Sequence, residues 1–239
     1  MSLLLAGGGL GPGTREALDR FVRSARERAE RAPQLVVLAD GDPTAELVGV
    51  LERAGAGRVD VYAAPGPEVP EATSDAAREA LLRADGVLLV GTSAVPLLGL
   101  VREAVVDLRR LVSEEVPFVG IAAGAAVAGQ SAVLGGTVLD GVRLAPSAAD
   151  EPAEVAVVAG LGLVDVTIDT GGAAAGLLGR VLALVESGTV DRALVIDEDT
   201  VLAVADGSLD VFGTGSVWQA RLADNGEVVV SSAHHGIES

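Results

Sequence analysis

Apolar positions in the first half of the chain fall into two patterns. Ser2 to Ala6, Gln34 to Ala39, Gly86 to Val90 and Pro117 to Ile121 are short apolar runs, and Arg58 to Ala63 is a further strand-like segment. Between them, apolar residues recur at helical spacing among charges, as with Leu18, Val22 and Ala25 inside Thr14 to Arg31. The same reading gives helices over Thr44 to Ala54, ended near Gly55, and over Ser74 to Arg83, opened by a capping serine. A long helix is expected from Leu97 to Ser113, and Pro65 to Pro70 is a proline-rich loop. Strands without polar alternation, separated by helices, argue a mostly parallel sheet covered by helices on both faces. The expected fold is therefore α/β, a three-layer αβα arrangement.

After Gly129 the texture changes. Gly135 to Arg143, Val155 to Leu163 and Val164 to Asp169 read as strands and turns, and Gly176 to Ser187 as a helix. Ala193 to Asp197, Val201 to Ala205, Val211 to Val217 and Glu227 to Ser231 read as additional β elements in the C-terminal half. No linker interrupts residues 1–239, so one domain is expected.

Composition narrows the chemistry. Aromatics are 2% of the chain, so the core must be built from Val, Leu and Ala. There is no cysteine, which removes disulfides, thiolate metal sites and a cysteine nucleophile. All 17 basic residues are arginine, which removes a Schiff-base lysine and a lysine-dependent phosphate loop. A net charge of -17 repels phosphate backbones, so no nucleic-acid partner is expected. No apolar run reaches the ~18 residues of a membrane helix, and Met1 to Leu10 lacks a basic start. A cytoplasmic protein off the membrane is expected, with no cofactor and no metal.

In sheets of this type, sites lie at the carboxyl ends of the strands. That edge carries Gly7 to Gly9, Asp40 to Asp42, Gly91 to Ala94 and Ala122 to Ala125. Gly7 to Gly13 fails the dinucleotide spacing, with Pro12 at a required position, and reads as a tight turn. Ser93 follows a buried strand but has no histidine near it in sequence; it reads as a helix-capping serine. Asp197-Glu198-Asp199 reads as a solvated turn, since neighbouring side chains on a strand diverge. Asp40-Gly41-Asp42 reads as a turn, and the pair His234-His235 as a tail with no metal-binding partner. The strongest feature is Val116 to Gly129: a strand, a turn of small residues and a small-residue helix, the shape that elsewhere presents a nucleophile. Ala122 stands where the nucleophile belongs.

Together these segments resemble the cyanophycinase and peptidase E family of serine peptidases, whose fold is similar to class I glutamine amidotransferases. The resemblance rests on Gly7-Gly8-Gly9, Val87 to Gly91, Gly120 to Ala125 and Gly160 to Leu163. It continues through Ile168-Asp169, Gly179-Arg180, Ile196 to Thr200 and Gly213-x-Gly215-x-Val217. It implies a serine at Ala122, a histidine at Gly171 followed by an aromatic at Gly172, and an acid at Glu198, of which only the acid is present. Two pocket arginines of the family fall on Ala175 and Leu177, and a third is retained as Arg180. The family's Gly-Gly-x-Gln oxyanion turn is replaced by Gly91-Thr92-Ser93-Ala94.

The resemblance, with these losses, implies a catalytically inactive homologue, a pseudoenzyme acting as a binding or partner subunit. It would form a homodimer or a complex with an active paralogue. Its remnant site would comprise Gly91, Ala122, Ala123, Asp169, Arg180 and Glu198, with Arg180 paired to an acid. Two alternatives stand beside it. One is an active hydrolase with a relocated nucleophile at Ser93, Thr92 or Ser131. The other is a small-molecule binding module using the vacated cleft around Ala122 to Ala126 and Gly171 to Gly176.

Overall fold

The computed structural model describes residues 3–41, 43, 45–66, 68–144, 153–205 and 208–234. Ser2, Asp42, Thr44, Pro67 and His235, each part of an expectation above, lie outside the described residues.

The first half alternates as its apolar pattern requires. In order it runs β1 (Leu3–Ala6), α1 (Pro12–Ala29), β2 (Gln34–Ala39), α2 (Ala45–Arg53), β3 (Arg58–Ala63), α3 (Glu71–Leu81) and β4 (Gly86–Gly91). Then come α4 (Ala94–Val101), a 3-10 turn at Arg102–Ala104, α5 (Val105–Ser113), β5 (Phe118–Ala122) and α6 (Ala123–Ala128). The second half adds β6 (Ser131–Gly135), β7 (Val138–Leu139), β8 (Val142–Arg143), β9 (Ala156–Ala159), β10 (Thr167–Thr170) and α7 (Leu178–Glu186). It closes with β11 (Arg192–Ile196), β12 (Thr200–Ala205), β13 (Ser208–Gly213), β14 (Ser216–Leu222) and β15 (Val228–His234).

Two large sheets result. The first has the order β13-β12-β1-β5-β4-β2-β3, with β1, β5, β4, β2 and β3 parallel and β12 and β13 antiparallel. Alternate side chains of its inner strands leave on opposite faces. Leu4, Leu35, Val37, Leu88 and Val119 pack with α1 and α2, whereas Leu3, Val36, Leu38, Leu89 and Phe118 pack with α3, α4 and α5. That is the three-layer αβα arrangement. Of the additional β elements, β12 and β13 extend the first sheet, while others form the second, β15-β14-β11-β10-β6-β9, in which β6, β10 and β11 are parallel. Its Ala132, Ile168, Ile196 and Val217 join the same core as α4 and α6, and Val181, Leu184 and Val185 of α7 cover its other face. The small helix α6 therefore lies between the two sheets, touching β4 and β5 on one side and β6 and β10 on the other. Among the described residues no helix is long and apolar enough to cross a membrane.

Three local expectations are corrected. Helix α3 starts at Glu71 after Pro70, so Ser74 is not its cap; it is buried inside the first turn and its Oγ donates to Glu71 O at 2.9 Å. The single helix expected over Leu97 to Ser113 is three pieces, broken by the 3-10 turn. Ser93 sits at the N-cap of α4 but makes no side-chain capping bond. The cap comes instead from Asp40 at the end of β2, whose Oδ2 accepts from the amides of Thr92 at 2.7 Å and Ser93 at 2.5 Å. A carboxylate from a neighbouring strand thus holds the amides that lead into the helix.

Candidate functional site

At the junction of β5 and α6 the chain reverses sharply through Ala122. Its φ is 52° and its ψ is -118°, a conformation in which an L-residue is strained. Packing imposes the turn. A Cβ on Gly120 would lie 2.6 Å from Gly124 O, and one on Gly124 would lie 2.0 Å from Leu89 O. Glycines two residues before and after Ala122 let α6 sit directly against β4 and β5. This is the geometry that lifts a nucleophile above a sheet, and here it lifts a methyl group.

Ala122 looks onto two hollows. One, of about 260 Å³, opens between the two sheets. Its floor is Ala122, Ala123 and Ala126; Thr92 and Ala94 close one side, and Val133, Leu134, Asp169, Thr170, Leu177 and Arg180 the other. The second, of about 460 Å³, lies over the first sheet and is lined by Gly9, Asp40, Glu46, Gly91, Thr92 and Ala122, among others. So the structure gathers Ala122, Ala123, Asp169 and Arg180 around one cavity. Gly91 belongs to the other hollow. Glu198 is exposed and lies beside Gly9: its Oε1 is 3.2 Å from where a Cβ on that glycine would stand.

The cavity's polar wall is an ion pair. Arg180 Nε donates to Asp169 Oδ2 at 3.0 Å, and Nη2 donates to Oδ1 at 2.9 Å and Oδ2 at 2.7 Å. Nη1 donates to Gly136 O at 3.0 Å, and Asp169 Oδ1 also accepts from the Thr170 amide at 2.9 Å. Asp169 is 5% exposed and Arg180 7%. A paired, multiply hydrogen-bonded arrangement is what lets both charges stay buried.

The loop after β10 turns on its glycines. Gly171 takes φ 75°, with its amide donating to Ile196 O at 2.9 Å. A Cβ on Gly172 would meet Val195 Cγ1 at 2.5 Å, so a side chain there requires Val195 to shift. Ala175 N closes the turn on Gly171 O at 2.8 Å.

The acidic segment is corrected too. Asp197-Glu198-Asp199 is the crossing from the second sheet into the first, and two of its carboxylates are anchors rather than a solvated turn. Asp197 is 8% exposed and accepts from Ala173 N at 2.9 Å, Ser216 N at 3.1 Å and Trp218 Nε1 at 3.0 Å. Asp199, at φ 52°, accepts from Thr14 N at 3.0 Å in the first turn of α1. The three side chains do diverge, because the segment is a turn with Asp199 at positive φ rather than a strand.

The hydroxyls are placed as follows. Thr92 Oγ1 lies 3.2 Å from Asp40 Oδ2, an oxygen already taking two amide donors. Ser131 starts β6 and lines a polar hollow at the amino ends of the second sheet, with Thr167 and Arg192, at the opposite edge from Ala122. His234 pairs with Ser216 on β15, and Thr170, Ile196, Val217 and Ala233 are in register across the sheet. At ~4.8 Å per strand, three spacings put that edge about 14 Å from Thr170. Among the described residues no serine or threonine hydroxyl bonds a histidine.

The roles of Asp40 and Asp197 escape a reading of the sequence. Asp40 reaches its amides 52 and 53 positions away, and a carboxylate in an Asp-Gly turn carries no mark of a distant partner.

No family model matches the chain, and no curated protein matches it. Among solved structures it is similar to a proposed peptidase E protein from Listeria monocytogenes EGD-e. The TM-score is 0.49 and the identity 11%, with 90% of this chain and 98% of that chain covered.

Proposed function

We propose that this chain is a catalytically inactive homologue of the cyanophycinase and peptidase E serine peptidases, whose emptied nucleophile pocket serves binding. The observation that carries the reading is Ala122 in the strained elbow, φ 52° and ψ -118°, over a cavity of about 260 Å³. Acyl transfer needs a nucleophile and a base within hydrogen-bond reach of one another. Alanine supplies neither lone pair nor proton, Gly171 holds a left-handed φ of 75°, and a Cβ on Gly172 would meet Val195 Cγ1 at 2.5 Å, so both positions resist the family's base and aromatic. A single reverting substitution therefore does not rebuild the centre.

The relocated-nucleophile reading fares worse on geometry. Thr92 and Ser93 lie beside the cleft, but the carboxylate near them is engaged with amides. Ser131 lies at the far edge of the second sheet.

The test is hydrolysis of Asp-x dipeptides and of β-aspartyl-arginine polymer. The expected result is no turnover above buffer for the native chain, for Ala122→Ser, or for Ala122→Ser combined with Gly171→His. Robust turnover by the native chain would overturn the reading; turnover lost on Thr92→Val or Ser93→Ala would move the nucleophile to those positions.

A further inference from the structure

Resting on the binding reading just proposed, we infer that the cavity over Ala122 takes a small neutral molecule with an aliphatic body and a primary carboxamide head. The size comes first. At about 260 Å³ it falls just below the ~300–1,000 Å³ of pockets for drug-sized ligands, so the occupant is a few carbons long. Methyl and isopropyl-type groups of Ala94, Ala123, Ala126, Val133, Leu134 and Leu177 make most of the wall.

Charge then selects the head. Among the described residues the only charged side chains on the wall are Asp169 and Arg180, and they neutralise each other through three hydrogen bonds of 2.7–3.0 Å. Nε and Nη2 both donate to the carboxylate, so the pair carries no net charge. An entering carboxylate or ammonium would lose its water shell without meeting an unengaged counter-charge. A neutral polar head does not carry that cost.

The remaining polar atoms define what the head must offer. Thr92 Oγ1 is 3.2 Å from the Asp40 carboxylate, which can only accept. The hydroxyl proton therefore goes to Asp40, which leaves the oxygen of this lining residue its lone pairs as an acceptor. Thr170 contributes a hydroxyl from the opposite wall, and Arg180 Nη1 contributes donors beside Gly136 O. A primary carboxamide matches both needs, with its N–H for Thr92 and its carbonyl for the donors across the cavity. A charged dipeptide matches neither the size nor the neutrality.

The experiment compares three probes of one shape, pentanamide, pentanoate and pentylammonium, by ligand-observed NMR titration on the full chain. The expected result is that pentanamide binds at least about tenfold more tightly than either ion. Ala126→Leu, which fills the floor, abolishes binding, and Thr170→Val weakens pentanamide several-fold while leaving the fold intact. Should Ala126→Leu fail to fold, Thr170→Val decides. Equal binding of an ion, or no binding of pentanamide at millimolar concentration, would overturn this inference alone. Release of ammonia from pentanamide would instead overturn the non-hydrolytic reading beneath it.

Discussion

Ala122 holds a backbone conformation that glycine adopts freely and alanine does not, with φ 52° and ψ -118°. Such a residue carries ~1–3 kcal/mol of strain. Replacing it by glycine removes the Cβ clash but frees the unfolded chain by ~0.5–1 kcal/mol. Strain relief is the larger effect, so Ala122→Gly should stabilise the fold by about 1 kcal/mol in urea unfolding. A loss of stability would show that the methyl's packing outweighs its strain. The Asp169–Arg180 pair behaves in the opposite way. Removing one partner strands a buried charge, so Asp169→Leu alone or Arg180→Met alone should cost about 3–5 kcal/mol. The double substitution should recover most of that loss, because two apolar groups need no partners. Additive losses in the double-mutant cycle would mean that Gly136 and Thr170, which also bond the pair, hold it in place independently.

At the scale of elements, strands and helices were largely legible and their capping was not. β1, β2, β4 and β5 are buried along nearly their whole length, so their runs lack alternation and announce a covered parallel sheet. Ser74 misled because a serine before an apolar run is a common start signal, whereas Pro70 followed by Glu71 was the true one. The elbow was legible for a different reason: small residues at Gly120, Ala122 and Gly124 leave few alternatives to close packing against β4. The cap of α4 was out of reach, since it depends on β2 and β4 lying side by side. That dependence is measurable. Asp40→Ala removes the acceptor of two amides and should cost about 1–2 kcal/mol. Hydrogen exchange should accelerate first at Thr92 and Ser93 and then through the first turn of α4. If those amides kept their protection, the Asp40 bonds would not be what holds the start of α4.

For the whole molecule, the question is why so acidic a chain stays folded and how its two sheets are joined. The joints are long-range: β1 pairs with β12, and Asp197 and Asp199 fasten the crossing between sheets to β14 and α1. Pairings that distant leave no periodic trace, and for that reason the second sheet was foreseen only as extra β elements. The charges are 34 acids against 17 arginines, a net of -17. Many arginines sit in exposed pairs, such as Arg20 with Glu16, Arg110 with Glu114 and Arg192 with Asp165. Each such pair is worth only ~0–1 kcal/mol and is weakened by salt. The unpaired excess of acids repels across the whole surface, and salt weakens that too. Because half the acids have no arginine to match, repulsion should dominate. Raising NaCl from ~10 mM, where screening acts over ~30 Å, to ~1 M, where it acts over ~3 Å, should therefore raise Tm. A Tm that falls over that range would mean the exposed pairs outweigh the repulsion, with Arg31–Asp85, whose carboxylate is mostly buried, the first to examine.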